Sequence, residues 1–347
     1  AGISLQEDMM DRDVLLGVKE VPKENLLADK TYFFFSHTIK AQPYNRSLLQ
    51  TILAKKIRLV DWETLTNEKG QRVIAFGRWA GIVGAHNGLW TWGKRTEKYS
   101  LPRANSVKDF AELKSIYKNT KFSALKIVLT GGGRVAGGAK EVLDAAGITQ
   151  VSKEEFLATP KPSEAIYIAL DCPDFYQRKT DQGFDWQEFF KSPELYEGTF
   201  APYSKAADLL INAIYWDPAA PVFFTAKDMA ASEFRIRTIA DITCDINGSV
   251  PSTTRATTIA DPLYGFNVKT GDDNSTPHGE DILDVMSIDN LPNELPRDAS
   301  AAFGEQFSTS VWPELQVMSS MIDRASIAVD GALGKPFNYL QDFVDGE

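Results

Sequence analysis

Cysteine and long apolar runs are scarce in this sequence, and each shortage excludes a class of protein. Two cysteines, Cys172 and Cys244, cannot build a disulfide framework, and they lack the spacing of a metal site. No apolar stretch approaches the roughly 20 residues that span a bilayer. The opening segment AGISLQEDMMDRD lacks a basic part followed by an apolar part, so we expect no secretory signal.

Charge and composition narrow the class further. The formal net charge is −10, which argues against nucleic acid as a partner because a phosphate backbone calls for a basic surface. Hydrophobic residues make up 43% and charged residues 24% of the 347-residue chain, as in ordinary globular proteins. At roughly 150 residues per domain, this length predicts two domains. We therefore expect a cytoplasmic, enzyme-sized protein without a membrane segment.

Short apolar runs at residues 13–18, 31–36 and 56–60 are each followed by polar residues. Their length and their β-branched and aromatic content are typical of buried parallel strands. A helical spacing of apolar residues over 44–55 separates the second run from the third. This alternation of strand, helix and strand predicts a parallel α/β sheet.

Charged side chains follow these predicted strands. Lys19, His37 and Glu63 should face one crevice, because ligands of open α/β sheets bind beyond the carboxyl ends of the strands. A lysine in a partly desolvated crevice can exchange protons near neutrality, so Lys19 and His37 could divide acid and base work on an amine or a carbonyl. The alternative for Lys19 is a structural ion pair with Glu20 or Glu63.

A glycine-rich turn lies further along the chain. Residues 131–136 read GGGRVA, a G-x-G-x-x-A variant of the dinucleotide fingerprint. Gly131 would permit the tight turn, and Gly133 would let the backbone approach a pyrophosphate. An apolar strand at 126–129 precedes the turn and a helix follows it, which is the context that this motif requires. The segment therefore predicts a site for NAD or NADP.

The choice between NAD and NADP stays open at this stage. The strand after such a turn usually ends in Asp or Glu, which holds the ribose 2′-hydroxyl. The candidate strand, residues 148–151, ends in Ser152 and Lys153 instead, and these could accept a 2′-phosphate. Glu154 and Glu155 follow directly and could reverse that inference.

The boundary between the predicted domains is placed near residue 100. Small residues over 76–88 indicate a closely packed connecting helix, and the polar stretch 100–123 is typical of an inter-domain connection. We predict an α/β fold of two Rossmann-like domains with parallel sheets and an active-site cleft between them. Residues 1–100 with about 305–347 would form the substrate domain, and residues 101–304 would bind the dinucleotide.

Several segments together resemble one known family. The chain is similar to the lysine-forming saccharopine dehydrogenases and the lysine–ketoglutarate reductases, within the wider group of alanine dehydrogenase and transhydrogenase folds. The segments that carry the resemblance are GVKEVP at 17–22, FFSHTIK at 34–40, DWE at 61–63, GQRVIAFG at 70–77, AG at 80–81, GR at 133–134, GA at 138–139, INAIY at 211–215, Asp241, Ile242 and Asp245, SIDNLP at 287–292 and LPRDAS at 295–300.

The resemblance implies a reaction and roles for its residues. In that family a reduced nicotinamide drives the condensation of the lysine ε-amine with 2-oxoglutarate, and the reverse reaction cleaves saccharopine. Lys19 and His37 would be the acid–base pair, with Lys19 also contacting substrate. The charged residues that surround and tune this pair would be Glu20, Lys40 and Glu63.

The same resemblance assigns binding positions and implies no metal. Phe76 and Ile242 match substrate-contacting positions. NAD is slightly favoured as cofactor, and the small-molecule substrates would be lysine, 2-oxoglutarate and saccharopine, bound by a monomer or a homodimer. Besides Gly131 and Ser152 from the turn analysis, the cofactor-contacting positions would be Arg72, Gly133, Arg134, Tyr215, Ile288, Asp289, Asn290 and Leu291, with Asp289 close to the nicotinamide.

One element of the family pattern is missing from this sequence. The family begins with a first strand and a basic cluster that holds substrate carboxylates, whereas no Lys or Arg precedes Arg12 here. The substrate domain is therefore expected to lack its first strand. The missing cluster favours one alternative, a regulatory relative that binds NAD(P) without turnover. The other alternative is an alanine dehydrogenase-like enzyme with a smaller substrate.

Overall fold

A computed structural model describes residues 5–346, and the chain divides into two compact units. The first unit contains the residues up to 75 together with those from 301 onward, and the second contains residues 76–300. The structure therefore assigns residues 76–100 to the second unit, not to the first as predicted. No helix in the described part of the chain is long and apolar enough to cross a membrane.

The helices and strands alternate along most of the chain. The strands are β1 (Val14–Lys19), β2 (Thr31–Phe35), β3 (Arg58–Asp61), β4 (Leu125–Thr130), β5 (Thr149–Gln150), β6 (Ala165–Leu170), β7 (Tyr176–Arg178), β8 (Tyr196–Gly198), β9 (Leu209–Asn212), β10 (Thr238–Asp241), β11 (Tyr264–Asn267), β12 (Ile282–Met286), β13 (Ser326–Val329) and β14 (Ala332–Leu333). The α-helices are α1 (Arg46–Ala54), α2 (Gly77–Thr96), α3 (Phe110–Lys118), α4 (Arg134–Ala145), α5 (Lys153–Ala158), α6 (Cys172–Phe175), α7 (Trp186–Lys191), α8 (Ala201–Ser204), α9 (Ala226–Met229), α10 (Pro296–Gln306), α11 (Trp312–Gln316), α12 (Ser320–Ala325) and α13 (Gln341–Asp345).

The sheet of the first unit has the order β1-β2-β3-β13-β14. Strands β1, β2 and β3 are parallel, as predicted, but β13 and β14 each run antiparallel to their neighbours, so the sheet is mixed. Helix α1 buries Leu48, Leu49 and Ile52, which confirms the helical spacing. The prediction that the first run is a buried strand is wrong, because β1 lies at the edge of the described sheet and exposes Val14 and Leu16.

The sheet of the second unit has the order β11-β12-β10-β9-β4-β6-β5. All its pairings are parallel except that of β11 with β12, and β4 is buried along its whole length. This is a doubly wound, Rossmann-like arrangement, in which ligands bind beyond the carboxyl ends of the strands.

Helix α2 belongs to the second unit because its glycines let it approach α4 backbone to backbone. A Cβ atom added at Gly81 would lie 1.8 Å from the carbonyl oxygen of Val135, and one added at Gly138 would lie 2.0 Å from that of Arg78. Only glycine fits such an approach. The small residues that predicted a close-packed helix are thus confirmed as a packing signal, but their partner is the helix after the glycine-rich turn.

Candidate functional site

The carboxyl ends of the first three strands lie at one edge of their sheet. Lys19, the last residue of β1, pairs with Phe35 at the end of β2, and Phe34 pairs with Asp61 at the end of β3. The segments that continue from β2 and β3 carry His37 and Glu63. The register therefore brings together the strand ends that the sequence predicted to share an edge.

Asp61 fixes the two turns that follow β2 and β3. Its fully buried carboxylate accepts hydrogen bonds from the Ser36 amide at 2.8 Å, the Ser36 hydroxyl at 2.5 Å and the Glu63 amide at 2.7 Å. Burial raises the pKa of Asp61, against the opposing effect of these hydrogen bonds. Asp61 holds His37 and Glu63 at fixed positions through their neighbouring backbone, a role that the sequence analysis did not assign to it.

His37, Glu63 and Arg72 form a charged cluster at this edge. The Nδ1 atom of His37 lies 3.7 Å from Oε2 of Glu63, and the other carboxylate oxygen lies 3.1 Å from the Arg72 guanidinium. His37 adopts a left-handed backbone conformation (φ 56°) and stacks against Phe35. Left-handed backbone at a side chain that faces a buried carboxylate is a feature that clusters at functional sites.

The other charged residues predicted for this cluster do not form ion pairs with it. Lys19, Glu20 and Lys40 are exposed, and within the described part of the chain none of them lies within 4.0 Å of an oppositely charged group. The structural ion pair considered for Lys19 is therefore not formed here. Arg72, predicted to contact the cofactor, pairs with Glu63 at this edge.

In the second unit, the glycine-rich turn has the form that a pyrophosphate requires. Gly131 has a positive φ of 105°, and a Cβ atom there would lie 2.5 Å from the carbonyl oxygen of Ala213. Gly133 precedes the first residue of α4, Arg134, so the free amides of that helix N-terminus point toward the turn. The open space beside the turn measures about 450 Å³. The residues present therefore fit a dinucleotide.

The strand beside β4 is β6, and this changes the predicted ribose position. Strand β5, which ends near Ser152, is separated from β4 by β6, and the Ser152 hydroxyl accepts from the Glu155 amide as the cap of α5. Ser152 therefore does not follow the strand that lies next to β4. Strand β6 ends immediately before Asp171, whose Oδ2 would lie 2.1 Å from a Cβ atom placed at Gly132.

A buried polar network joins the ends of β4, β9 and β10. The Asn212 amide donates to Asp241 at 2.9 Å and to Ser249 at 3.0 Å, and Thr253 donates to the second Asp241 oxygen at 2.6 Å. Burial raises the pKa of Asp241. The network ties Ser249 and Thr253, within the loop after β10, to the ends of β9 and β10.

The remaining predicted residues are distributed as follows. Ile242 is buried and packs against Gly84 of α2, and Phe76 is half-buried directly before that helix. After β12, Ile288 and Leu291 are buried, whereas Asp289 and Asn290 are exposed. Tyr215 is 87% exposed and lines the cavity beside the turn.

Among residues 5–346, no group of three or more His, Cys, Asp or Glu side chains is arranged to hold a metal ion. Cys172 is buried and Cys244 is partly buried, and both are free thiols. Burial raises the pKa of each thiol to about 12.

Comparison with known proteins bears on the family. Residues 1–83 match the family model described as "Alanine dehydrogenase/PNT, N-terminal domain". The chain is 32% identical to the mitochondrial alpha-aminoadipic semialdehyde synthase of Rattus norvegicus, over 98% of this chain and 42% of that protein. It is 29% identical to the saccharopine dehydrogenase [NAD(+), L-lysine-forming] of Yarrowia lipolytica, over 89% of this chain and 75% of that one.

A solved structure agrees at the level of the fold. An L-alanine dehydrogenase superposes with a TM-score of 0.59 at 16% identity, covering 97% of this chain and 82% of that one. The predicted resemblance is confirmed: the chain is homologous to the semialdehyde synthases and to the lysine-forming saccharopine dehydrogenases. It spans less than half the length of the semialdehyde synthases that it matches.

Proposed function

We propose that this homologue of the lysine-forming saccharopine dehydrogenases is an NAD-dependent oxidoreductase that acts on a CH–NH bond. Lysine, 2-oxoglutarate, NADH and a proton would give saccharopine, NAD⁺ and water, and the reaction would be reversible. The first unit would supply the acid–base groups, and the second would hold the dinucleotide. The observation that carries this proposal is the cluster of His37, Glu63 and Arg72 on the strand edge that also bears Lys19.

The proposed reaction requires proton transfer at two points. Attack of the lysine ε-amine on the keto carbon gives a carbinolamine, which must gain a proton to lose water, and the resulting imine must carry a proton to accept hydride. Lys19 and His37 would share these two tasks. Glu63 faces the His37 ring at 3.7 Å and would orient it, while Arg72 holds the other oxygen of the same carboxylate at 3.1 Å.

The dinucleotide supplies the hydride when bound. The residues that would hold it are Gly131 and Gly133 at the pyrophosphate, with Arg134 at the helix N-terminus and Tyr215 beside the cavity. Asp289 and Asn290, exposed after β12, would lie toward the nicotinamide half. Phe76 and Ile242 would help to shape the substrate side, although Ile242 is buried in packing against α2.

We propose NAD over NADP because of Asp171. A carboxylate at the end of the strand next to β4 accepts hydrogen bonds from the ribose hydroxyls and repels a 2′-phosphate. Its position against Gly132 puts it beside the pyrophosphate turn. The Yarrowia lipolytica relative carries NAD(+) in its name, in agreement with this assignment.

The first experiment follows NADH oxidation at 340 nm with lysine and 2-oxoglutarate, alone and together. Oxidation that requires both substrates supports the proposal, whereas oxidation with pyruvate and ammonia supports the alanine dehydrogenase-like alternative. Lys19→Met should lower kcat by roughly 10²-fold or more and leave NADH affinity unchanged. The matched control is Lys23→Met, which removes an exposed lysine that contacts Ser47. NADH binding without turnover on any of these substrates would support the regulatory alternative.

The coenzyme assignment has its own test. Asp171→Ser keeps a side chain that can cap α6 but removes the charge, and it should shift the preference toward NADPH by roughly 10-fold or more. Ser152→Ala is the matched control and should leave the preference unchanged. An unaltered preference in Asp171→Ser, or a shift in Ser152→Ala, would contradict the assignment.

We propose that the enzyme is cytoplasmic, in contrast to the semialdehyde synthase of Rattus norvegicus, which is named as mitochondrial. We also propose that it acts on small molecules as a monomer or a homodimer, and sedimentation equilibrium would measure its molar mass in solution.

A further inference from the structure

An insertion between β6 and β9 carries exposed aromatic rings to the edge of the dinucleotide cavity. It consists of α6, the antiparallel pair β7–β8 and helix α7 between them. The residues that line the cavity beside the glycine-rich turn include Gly131–Gly133, Asp171, and Trp186 and Phe190 of α7. A minimal Rossmann fold does not require this insertion, so its exposed rings are not needed to form the sheet.

The inner face of the insertion is built to hold α7 in place. Phe189 packs against Tyr176 and Tyr196 at centroid distances of 5.0 and 5.1 Å. Glu188 accepts from Arg178 at 2.6 Å and from the Tyr196 hydroxyl at 2.6 Å. These contacts fix the orientation of α7, and therefore the direction of its outer side chains.

The outer face of α7 presents two rings to solvent. Trp186 is 40% and Phe190 is 67% exposed, and the two rings stack with centroids 5.5 Å apart and an interplanar angle of 29°. Large aromatic side chains held rigidly and left exposed beside a cavity are typical of surfaces that bind flat rings. The Trp186 ring is also in edge contact with Phe184, with centroids 5.1 Å apart.

We propose that Trp186 and Phe190 form a stacking surface for the adenine ring of the dinucleotide. This inference rests on the proposed dinucleotide function and adds the residues that recognise the base. Asp171 marks the side of the turn that takes the adenosine ribose, because it follows the strand next to β4. A base that extends from that ribose reaches the part of the cavity that Trp186 and Phe190 line. Stacking on an aromatic side chain tolerates any flat base and contributes measurably to affinity.

The test compares two ligands that share the nicotinamide half. The Kd of NADH and that of reduced nicotinamide mononucleotide, which has no adenine, are measured by nucleotide fluorescence with wild type, Trp186→Ala and the Trp186→Ala/Phe190→Ala double variant. We expect the double variant to bind NADH roughly 10-fold or more weakly and the mononucleotide unchanged. Trp312→Ala removes a comparably exposed tryptophan of the first unit and should change neither constant.

The outcomes separate this inference from the function on which it rests. If wild type binds NADH and the double variant binds it equally well, the stacking surface is refuted while the dinucleotide function stands. If both ligands weaken equally, the rings support the turn and do not read the base. Wild type that binds no NADH refutes both proposals. Trp186→Phe should restore most of the affinity, and circular dichroism checks that each variant is folded.

Discussion

His86 makes the second unit sensitive to acid, and the size of the effect follows from its surroundings. The side chain lies on α2 with no exposed surface, and its Nε2 is 2.9 Å from the Pro102 carbonyl oxygen while its Nδ1 is 2.7 Å from the Tyr117 hydroxyl. A carbonyl can only accept, so Nε2 carries the proton and Nδ1 accepts from Tyr117. Both nitrogens of the neutral ring are thereby hydrogen-bonded. If the ring gained a second proton, neither of these two partners would be a carboxylate that could balance its positive charge.

The pKa of His86 is lowered from 6.5 to about 4, first by burial and further by the nearby charge of Arg103, against the hydrogen bond to Pro102. The unfolded chain gains a proton on this ring as the pH falls through 6.5, whereas the folded protein does not until about pH 4. Folded stability is therefore fully present above pH 6.5 and is lost as the pH falls. Between pH 7 and pH 4.5 the loss amounts to about 2.5 kcal/mol.

The assay is urea denaturation of wild type and His86→Gln at several pH values, following the tryptophan fluorescence of α2. Glutamine can keep a hydrogen bond to Pro102 but does not titrate, so the stability difference between the two proteins should shrink by about 2.5 kcal/mol from pH 7 to pH 4.5. Using the difference removes the contributions of Asp61 and Asp241, whose raised pKa values act in the opposite direction. A difference that stays constant with pH would refute the reasoning.

Further predictions concern the glycines and His37. Gly81→Ala should destabilise the second unit by about 3 kcal/mol or more, because the added methyl group would clash with the backbone of α4. Gly137→Ala should stabilise it by about 1 kcal/mol, because no atom lies within 4 Å of the added methyl group. Thermal denaturation that ranks the two variants in the other order would contradict the α2–α4 packing. Gly132→Ala should weaken NADH binding roughly 10-fold or more without unfolding the protein, because its methyl group displaces Asp171; calorimetric titration measures this, and unchanged affinity counts against the turn. His37→Gln should lower kcat roughly 10²-fold and alter the pH–rate profile, and an unchanged profile would remove His37 from proton transfer.

Local features of both units could be predicted from the sequence because they depend on neighbours along the chain. The apolar runs that became β2 and β3, the amphipathic helix α1 and the glycine-rich turn after β4 all appear as short patterns with a direct physical cause. The shared edge of Lys19, His37 and Glu63 follows from the same patterns, since parallel strands end together.

The partners of these elements could not be predicted in the same way. Ser152 follows a strand at the expected distance from the turn, yet β6 occupies the place beside β4 and makes Asp171 the strand-end carboxylate. Arg72 matched a cofactor position, and its ion pair with Glu63 was not predicted. Each outcome depends on contacts between residues far apart in sequence, which no local periodicity encodes.

The sequence by itself determined the α/β class, the glycine-rich turn, the family resemblance and the candidates for proton transfer, because residue type and spacing suffice for each. Tertiary structure alone decided which strand lies beside β4, which helix packs on α4, that β1 lies at the edge of the described sheet, and which rings surround the cavity. The physical reason is that strand order and side-chain surroundings come from competition among distant segments for burial and hydrogen bonding. A local sequence pattern indicates which segments form strands and helices, but it does not indicate which of these segments become neighbours in the fold.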